Sequence, residues 1–273
     1  MSISVSFNQG YTIMRTIIFN LFLVLSCSLD AATWFVSPDG KDHATGSHYD
    51  DPLRQISEVI DHAHPGDTIF LLPGTFFGRN ELVDRHGAID SPITIMSHSP
   101  DPLNYAVIDG QGTPALDSEH EGFVLRNCSW LNLENLVFRN CWTHVIQLFD
   151  SPYISIRGCH FSTGKRVIHA VGHGTHHTLV EYCYIKHPDA VWQGWSWESL
   201  HHGEVSYYNG ALLHPSESGG GHIMRFNTII NMFNAFRTRP ERLSEDGNTE
   251  IYGNRMINIR DNEFEPESFA WNM

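Results

Sequence analysis

The chain has 273 residues, of which 17 are Lys or Arg and 31 are Asp or Glu, giving a net charge of −14. That balance excludes nucleic acid as a partner, because gripping a phosphate backbone takes a basic face. With 41% hydrophobic and 18% charged residues and 22 glycines, the composition excludes a disordered chain and suits short strands joined by turns.

Residues 1–32 read as an export signal. Arg15 precedes an apolar run from Ile17 to Leu25, and Ala31 and Ala32 offer small residues for cleavage. The run is too short to cross a bilayer, so no membrane span is expected. The residues before Met14 carry no positive charge, which makes Met14 an alternative start. Val24, Leu25, Ser26 and Cys27 resemble a lipoprotein cleavage site, but Leu25 fits it poorly. A secreted or periplasmic protein without a lipid anchor is the expectation. Export leaves Cys128, Cys141, Cys159 and Cys183, which fit either two disulfides or small buried core residues. Their spacing is not that of a zinc site, and no metal is assigned.

Asp51-Pro52 opens a short amphipathic helix with Leu53, Ile56, Val59 and Ile60 on one face, ending at His64-Pro65-Gly66. Strands follow at Thr68–Leu72, Ile93–Met96 and Ala106–Ile108. From there the chain repeats. One pattern is an alternating strand running into an Asn, Gly or Cys turn, as in Leu131 to Phe138, Ile154 to Phe161, Leu179 to Ile185, Ile223 to Ile229 and Ile251 to Met256. The second is a shorter strand after each of these. Ile146-Gln147, Ile168-His169, Val191-Trp192, Leu213-His214, Phe236-Arg237 and Phe264-Glu265 align at separations of 22, 23, 22, 23 and 28 residues.

Because side chains alternate along a strand, one member of each pair stacks inward and its neighbour faces out. A single register held through successive coils specifies a parallel β-helix of 22 to 27 residues per turn, with the helix at residues 51–66 capping its first rung. The domain is expected to occupy residues 33–273 as a monomer. The end at Met273, just after an outward Glu267, suggests a truncated coil.

Thr33-Trp34-Phe35-Val36-Ser37-Pro38-Asp39-Gly40, the short helix, and the segment Pro65-Gly66-Asp67-Thr68 through Pro73-Gly74-Thr75-Phe76 form one opening. It resembles the start of secreted right-handed parallel β-helix proteins of the pectate-lyase-like superfamily, many of them polysaccharide lyases and others hydrolases or epimerases. The resemblance implies a right-handed coil and a carbohydrate-active protein. It carries over no catalytic residue, so site residues must come from the outward face.

That face reads Gln147, His169, Trp192, His214, Arg237, Glu265, a span of about 19 Å at strand spacing. Two positions on it reads Phe149, Val171, Gly194, Ser216, Arg239, Glu267. Abstraction of a proton beside a uronate carboxylate needs fixed positive charge and a base. Arg237 and Arg239 suit the charge, and His214 the base, with His169 second. Trp192, Trp195, Gln147 and Glu267 are candidate substrate contacts, since sugar rings present apolar faces to aromatics. Glu265, within the acidic set Asp261, Glu263, Glu265 and Glu267, supports glycosidic hydrolysis, Ca²⁺ binding or a merely charged edge. Lys165, Arg166 and Lys186 fall at expected turns. The reading is a lyase acting on a uronic-acid polysaccharide, with a hydrolase and a non-catalytic glycan-binding coil as alternatives.

Overall fold

A computed structural model describes residues 31–113, 120–203, 205–242 and 245–266, so residues 1–30 of the export signal, and Glu267, lie outside the described residues. From Ala31 onward the chain is one compact unit built on three sheets, of eight, seven and seven strands, all paired in parallel. Each rung visits the three sheets in turn. The rung from Leu131 runs through Leu131–Glu134, Val137–Arg139 and His144–Phe149 before the next begins at Ile154. A parallel crossover of this kind winds right-handed, and the molecule is a right-handed parallel β-helix.

What the sequence presents as one alternating strand is two strands in two sheets. The break sits at a residue with positive φ that recurs on successive rungs: Asn135, Gly158, Tyr182, Phe226 and Gly253, with φ between 55° and 67°. One residue in the left-handed region turns the backbone sharply enough to change sheets. Tyr182 and Phe226 hold that conformation with their rings stacked 5.5 Å apart and exposed. The next residue points inward at every rung: Leu136, Cys159, Cys183, Asn227 and Asn254. There the Asn227 amide donates to Val180 O at 3.0 Å and the Asn254 amide to Met224 O at 2.8 Å, satisfying carbonyls the corner leaves unpaired.

The interior is a set of stacks. In the first sheet Ile69, Ile95, Leu133, Ile156, Val180 and Met224 lie in one register and are fully buried. The four cysteines are free and buried, their thiols facing backbone carbonyls, as Cys128 Sγ does Leu82 O at 3.4 Å. The capping helix is Ile56–Ile60, with Ile56, Val59 and Ile60 joined to the core, as the amphipathic pattern requires.

The repeat register is confirmed at every pair but one. Ile146 pairs with Ile168, Leu213 with Phe236 and Phe236 with Phe264. Ile168, however, pairs directly with Leu213, and His169 with His214. Val191-Trp192 is therefore not a rung. It belongs to an insertion between Tyr184–Lys186 and Leu213–Ser216 that folds into two single-turn helices and a helix Trp197–His202, capped reciprocally by Ser196 and Ser199. A 22-residue spacing arose there from an insertion of about one rung's length.

Candidate functional site

The third sheet carries the outward column. Its strands Asn80–Val83, Phe123–Arg126, His144–Phe149, Arg166–Val171, Leu213–Ser216, Phe236–Thr238 and Phe264–Pro266 hold Glu81, Val124, Gln147, His169, His214, Arg237 and Glu265 in strict register. Val171, Ser216 and the exposed Arg239 form the adjoining column. Gln147, His169, His214, Arg237 and Glu265 are thus brought together as expected, with Arg239 beside them.

Trp192 is not on the face. It is 6% exposed, packs with Leu200 and Phe233, and donates from Nε1 to Asn231 O at 2.6 Å. Trp195 packs half-buried against the same group, so neither indole lies in the column. Gly194 leaves the second column with them.

Two residues join the site that alternation sends inward. His144 and Arg166 pair in register one step ahead of Val145 and Val167. Both share the parity of the inward Ile146 and Ile168. Yet Val145 and Ile146, and Val167 and Ile168, are consecutive fully buried residues. Each strand bends there, so the residue before the bend faces out again. The signal was the unbroken apolar doublet, Val-Ile on both strands.

Three histidines form a continuous stack across this face. The His144 and His169 rings lie 4.6 Å apart and within 12° of parallel, and His169 meets His214 edge-on at 5.4 Å. Gln147 Nε2 lies 3.4 Å from His169 Nδ1, and His169 Nε2 is 3.1 Å from Ser216 Oγ. His144 Nε2 is 3.3 Å from Arg166 Nη1. His214 differs: it is 2% exposed, and neither ring nitrogen has a hydrogen-bond partner among the described residues. Burial holds all three imidazoles neutral, with guanidiniums reinforcing it. His144 is pushed down to about 3 by burial, Arg166 and Lys165, and His169 and His214 lie well below the usual histidine range. His214 feels Arg166, Arg237 and Arg239 together.

Lys165 adjoins this charge. Burial, then Arg166 and Arg237, lower its ammonium pKa. Its carbonyl is crossed by the end of the insertion at Gly210, where an added Cβ would come 1.9 Å from Lys165 O. No side chain fits there. That contact fixes the insertion over the site, and Asn209 Oδ1 accepts from Arg237 Nη1 at 3.1 Å. Arg237 also pairs with Glu265 at 3.2 Å, and Asn234 donates to the same Glu265 oxygen.

Beyond Glu265 the insertion and the last corner enclose a hollow of about 330 Å³, bordered by Trp197, Asn209, Arg237, Asp261, Asn262 and Glu265. Burial raises the Asp261 carboxyl pKa. Among the described residues no group of three His, Cys, Asp or Glu is arranged to hold a metal ion, and no helix is long and apolar enough to cross a membrane.

No protein-family model matches the chain. A protein of Emericella nidulans named Pectate lyase PEL9 is 33% identical over 113 residues, which make up 38% of this chain and 27% of that protein. The chain therefore spans about a quarter of the curated relative it matches. Among solved structures, a rhamnogalacturonan lyase superposes with a TM-score of 0.54 at 13% identity, covering 88% of this chain and 60% of that one. A mannuronic-acid-specific family 6 polysaccharide lyase from human gut microbiota gives 0.54 at 14% identity, covering 87% and 52%. These superpositions show the fold alone: the chain is a parallel β-helix.

Proposed function

We propose that this chain is an exported polysaccharide lyase, cleaving a uronic-acid-containing glycan by β-elimination on the outward face of the third sheet. The observation that carries the reading is concentration of charge: Lys165, Arg166, Arg237 and Arg239 converge around three neutral histidines in a protein of net charge −14. Such a focus on an acidic molecule marks where an anion is drawn.

The carboxylate of a uronate would sit against the guanidiniums, whose forked donors match its oxygens and withdraw charge from the neighbouring carbon. A base then takes the C5 proton, the C–H electrons form the C4–C5 double bond, and the C4–O bond breaks with protonation of the departing oxygen. Lys165 is the base this geometry favours, since burial, then Arg166 and Arg237, lower its ammonium pKa beside the histidine face. His214 has a free lone pair but is 2% exposed, so it reaches a polymer only if its cover moves. His169 has contacts at both ring nitrogens and serves better to position Ser216 and Gln147.

Hydrolysis is the second reading. It rests on two carboxyl groups, Asp261 and Glu265, that border one hollow, with Glu265 paired to Arg237. Incubating the full chain with pectate, alginate, rhamnogalacturonan and glycosaminoglycans separates the two. Ultraviolet-absorbing unsaturated ends support elimination; new reducing ends without that absorbance support hydrolysis and overturn the lyase.

A further inference from the structure

We infer that the hollow beside Trp197 is a subsite for one uncharged sugar unit of the glycan, stacked on the Trp197 indole. The inference rests on the reading of this face as a polysaccharide site. Trp197 is 58% exposed although it lies in a helix whose Leu200 is fully buried in the satellite core with Trp192 and Phe233. The insertion thus buries one indole and leaves another open at the rim of a concave space. An open indole beside amides is how a protein meets a pyranose, whose C–H face packs on the ring while its hydroxyls exchange hydrogen bonds at the edge. Asn209 and Asn262 border that space, and Asp261 adds an acceptor.

The local charge decides which sugar. The guanidinium of Arg237 is already engaged by Glu265 and by Asn209 Oδ1. Asp261 brings a second carboxylate to the same hollow. Two carboxylates outweigh the one permanent cation, Arg237, around a hollow also lined by His201, so a uronate is disfavoured whereas a neutral sugar meets no such penalty. The charged unit belongs one step along the face, on the side of Arg237 turned toward Arg166 and Arg239. The substrate of this site therefore carries a neutral sugar beside its uronate.

The test is affinity electrophoresis of the full chain in gels containing either polygalacturonate or a rhamnogalacturonan backbone, in which uronate alternates with rhamnose, run with calcium and with chelator. Unsaturated product is assayed in parallel. Wild type is expected to be retarded at least tenfold more strongly by the alternating polymer. Trp197→Ala should weaken that retardation by about tenfold, Trp197→Phe should restore most of it, and Asp261→Asn should narrow the preference between the polymers. Unchanged thermal midpoints confirm folded variants, as the exposure of Trp197 leads one to expect. Equal or stronger retardation by polygalacturonate, or a Trp197→Ala variant that binds like wild type, overturns the subsite. Binding through Trp197 with no unsaturated product refutes the lyase and leaves the subsite standing; polygalacturonate cleavage indifferent to Trp197 does the reverse.

Discussion

At the scale of single residues, the side chains around the histidine stack differ in what their loss should do. Arg237 spans Glu265 and Asn209 with a side chain 20% exposed. Arg237→Ala should lower kcat/KM by roughly two to three orders of magnitude, the usual loss when a fixed charge is taken from a developing anion. The melting temperature should barely move, because a partly exposed ion pair adds little stability. Steady-state kinetics with differential scanning fluorimetry read both. Lys165→Met should remove the limb of the pH–rate profile on which activity climbs as the lysine deprotonates; a variant that keeps this limb assigns the base elsewhere. Lys165 and Arg166 were visible in the sequence but lay where a turn was expected. Only the bend at the buried Val-Ile doublets turns the residue ahead of them, Arg166 and its neighbour His144, onto the face.

Elements bring a different set of constraints. Periodicity exposed the rungs because one register must recur wherever a parallel coil buries its interior. It failed at Val191-Trp192, since a folded insertion with its own small core also carries an apolar–aromatic pair. It could not see the corner between the first two sheets either: one left-handed residue leaves alternation undisturbed, and Tyr182 and Phe226 give no glycine signal. At another corner, Thr178 N–H donates to His222 Nδ1, which places the ring proton on Nε2 facing Ser218 Oγ at 2.7 Å. The Ser218 hydroxyl must then donate to Asp246 Oδ1, at 2.5 Å. Ser218→Ala strands the buried His222 Nε2–H, while the backbone N–H of residue 218 still donates to Asp246 Oδ1, and should cost about 1–3 kcal/mol in chemical denaturation. A cost below a few tenths would mean that this chain of bonds does not tie the two rungs.

Over the whole molecule, neutral buried histidines set the response to acid. His144 and His222 are pushed down to about 3 and His187 to about 4, each chiefly by burial, and His169 and His214 lie well below the usual range. Their folded pKa is below the unfolded value, so the stability they allow is whole above about pH 6.5 and is lost as pH falls from there toward 3. Each contributes a slope of up to about 1.4 kcal/mol per pH unit. Denaturant midpoints should fall steeply between pH 6 and pH 4, by roughly the combined effect of several such groups; a flat profile would show that these rings are protonated in the fold. Reductant should change nothing, because the four cysteines are free and burial raises the Cys141 thiol to about 12. The coil, its rungs and most of its outward column follow from repetition along the chain, whereas the chemistry depends on how an insertion lies over one face. The sharpest test of that chemistry compares the cleaved polymer with the same polymer after chemical reduction of its carboxyl groups. Elimination requires the carboxylate, so unsaturated product should form from the native polymer and none from the reduced one. Equal chain cleavage of both, without unsaturated ends, would contradict the account.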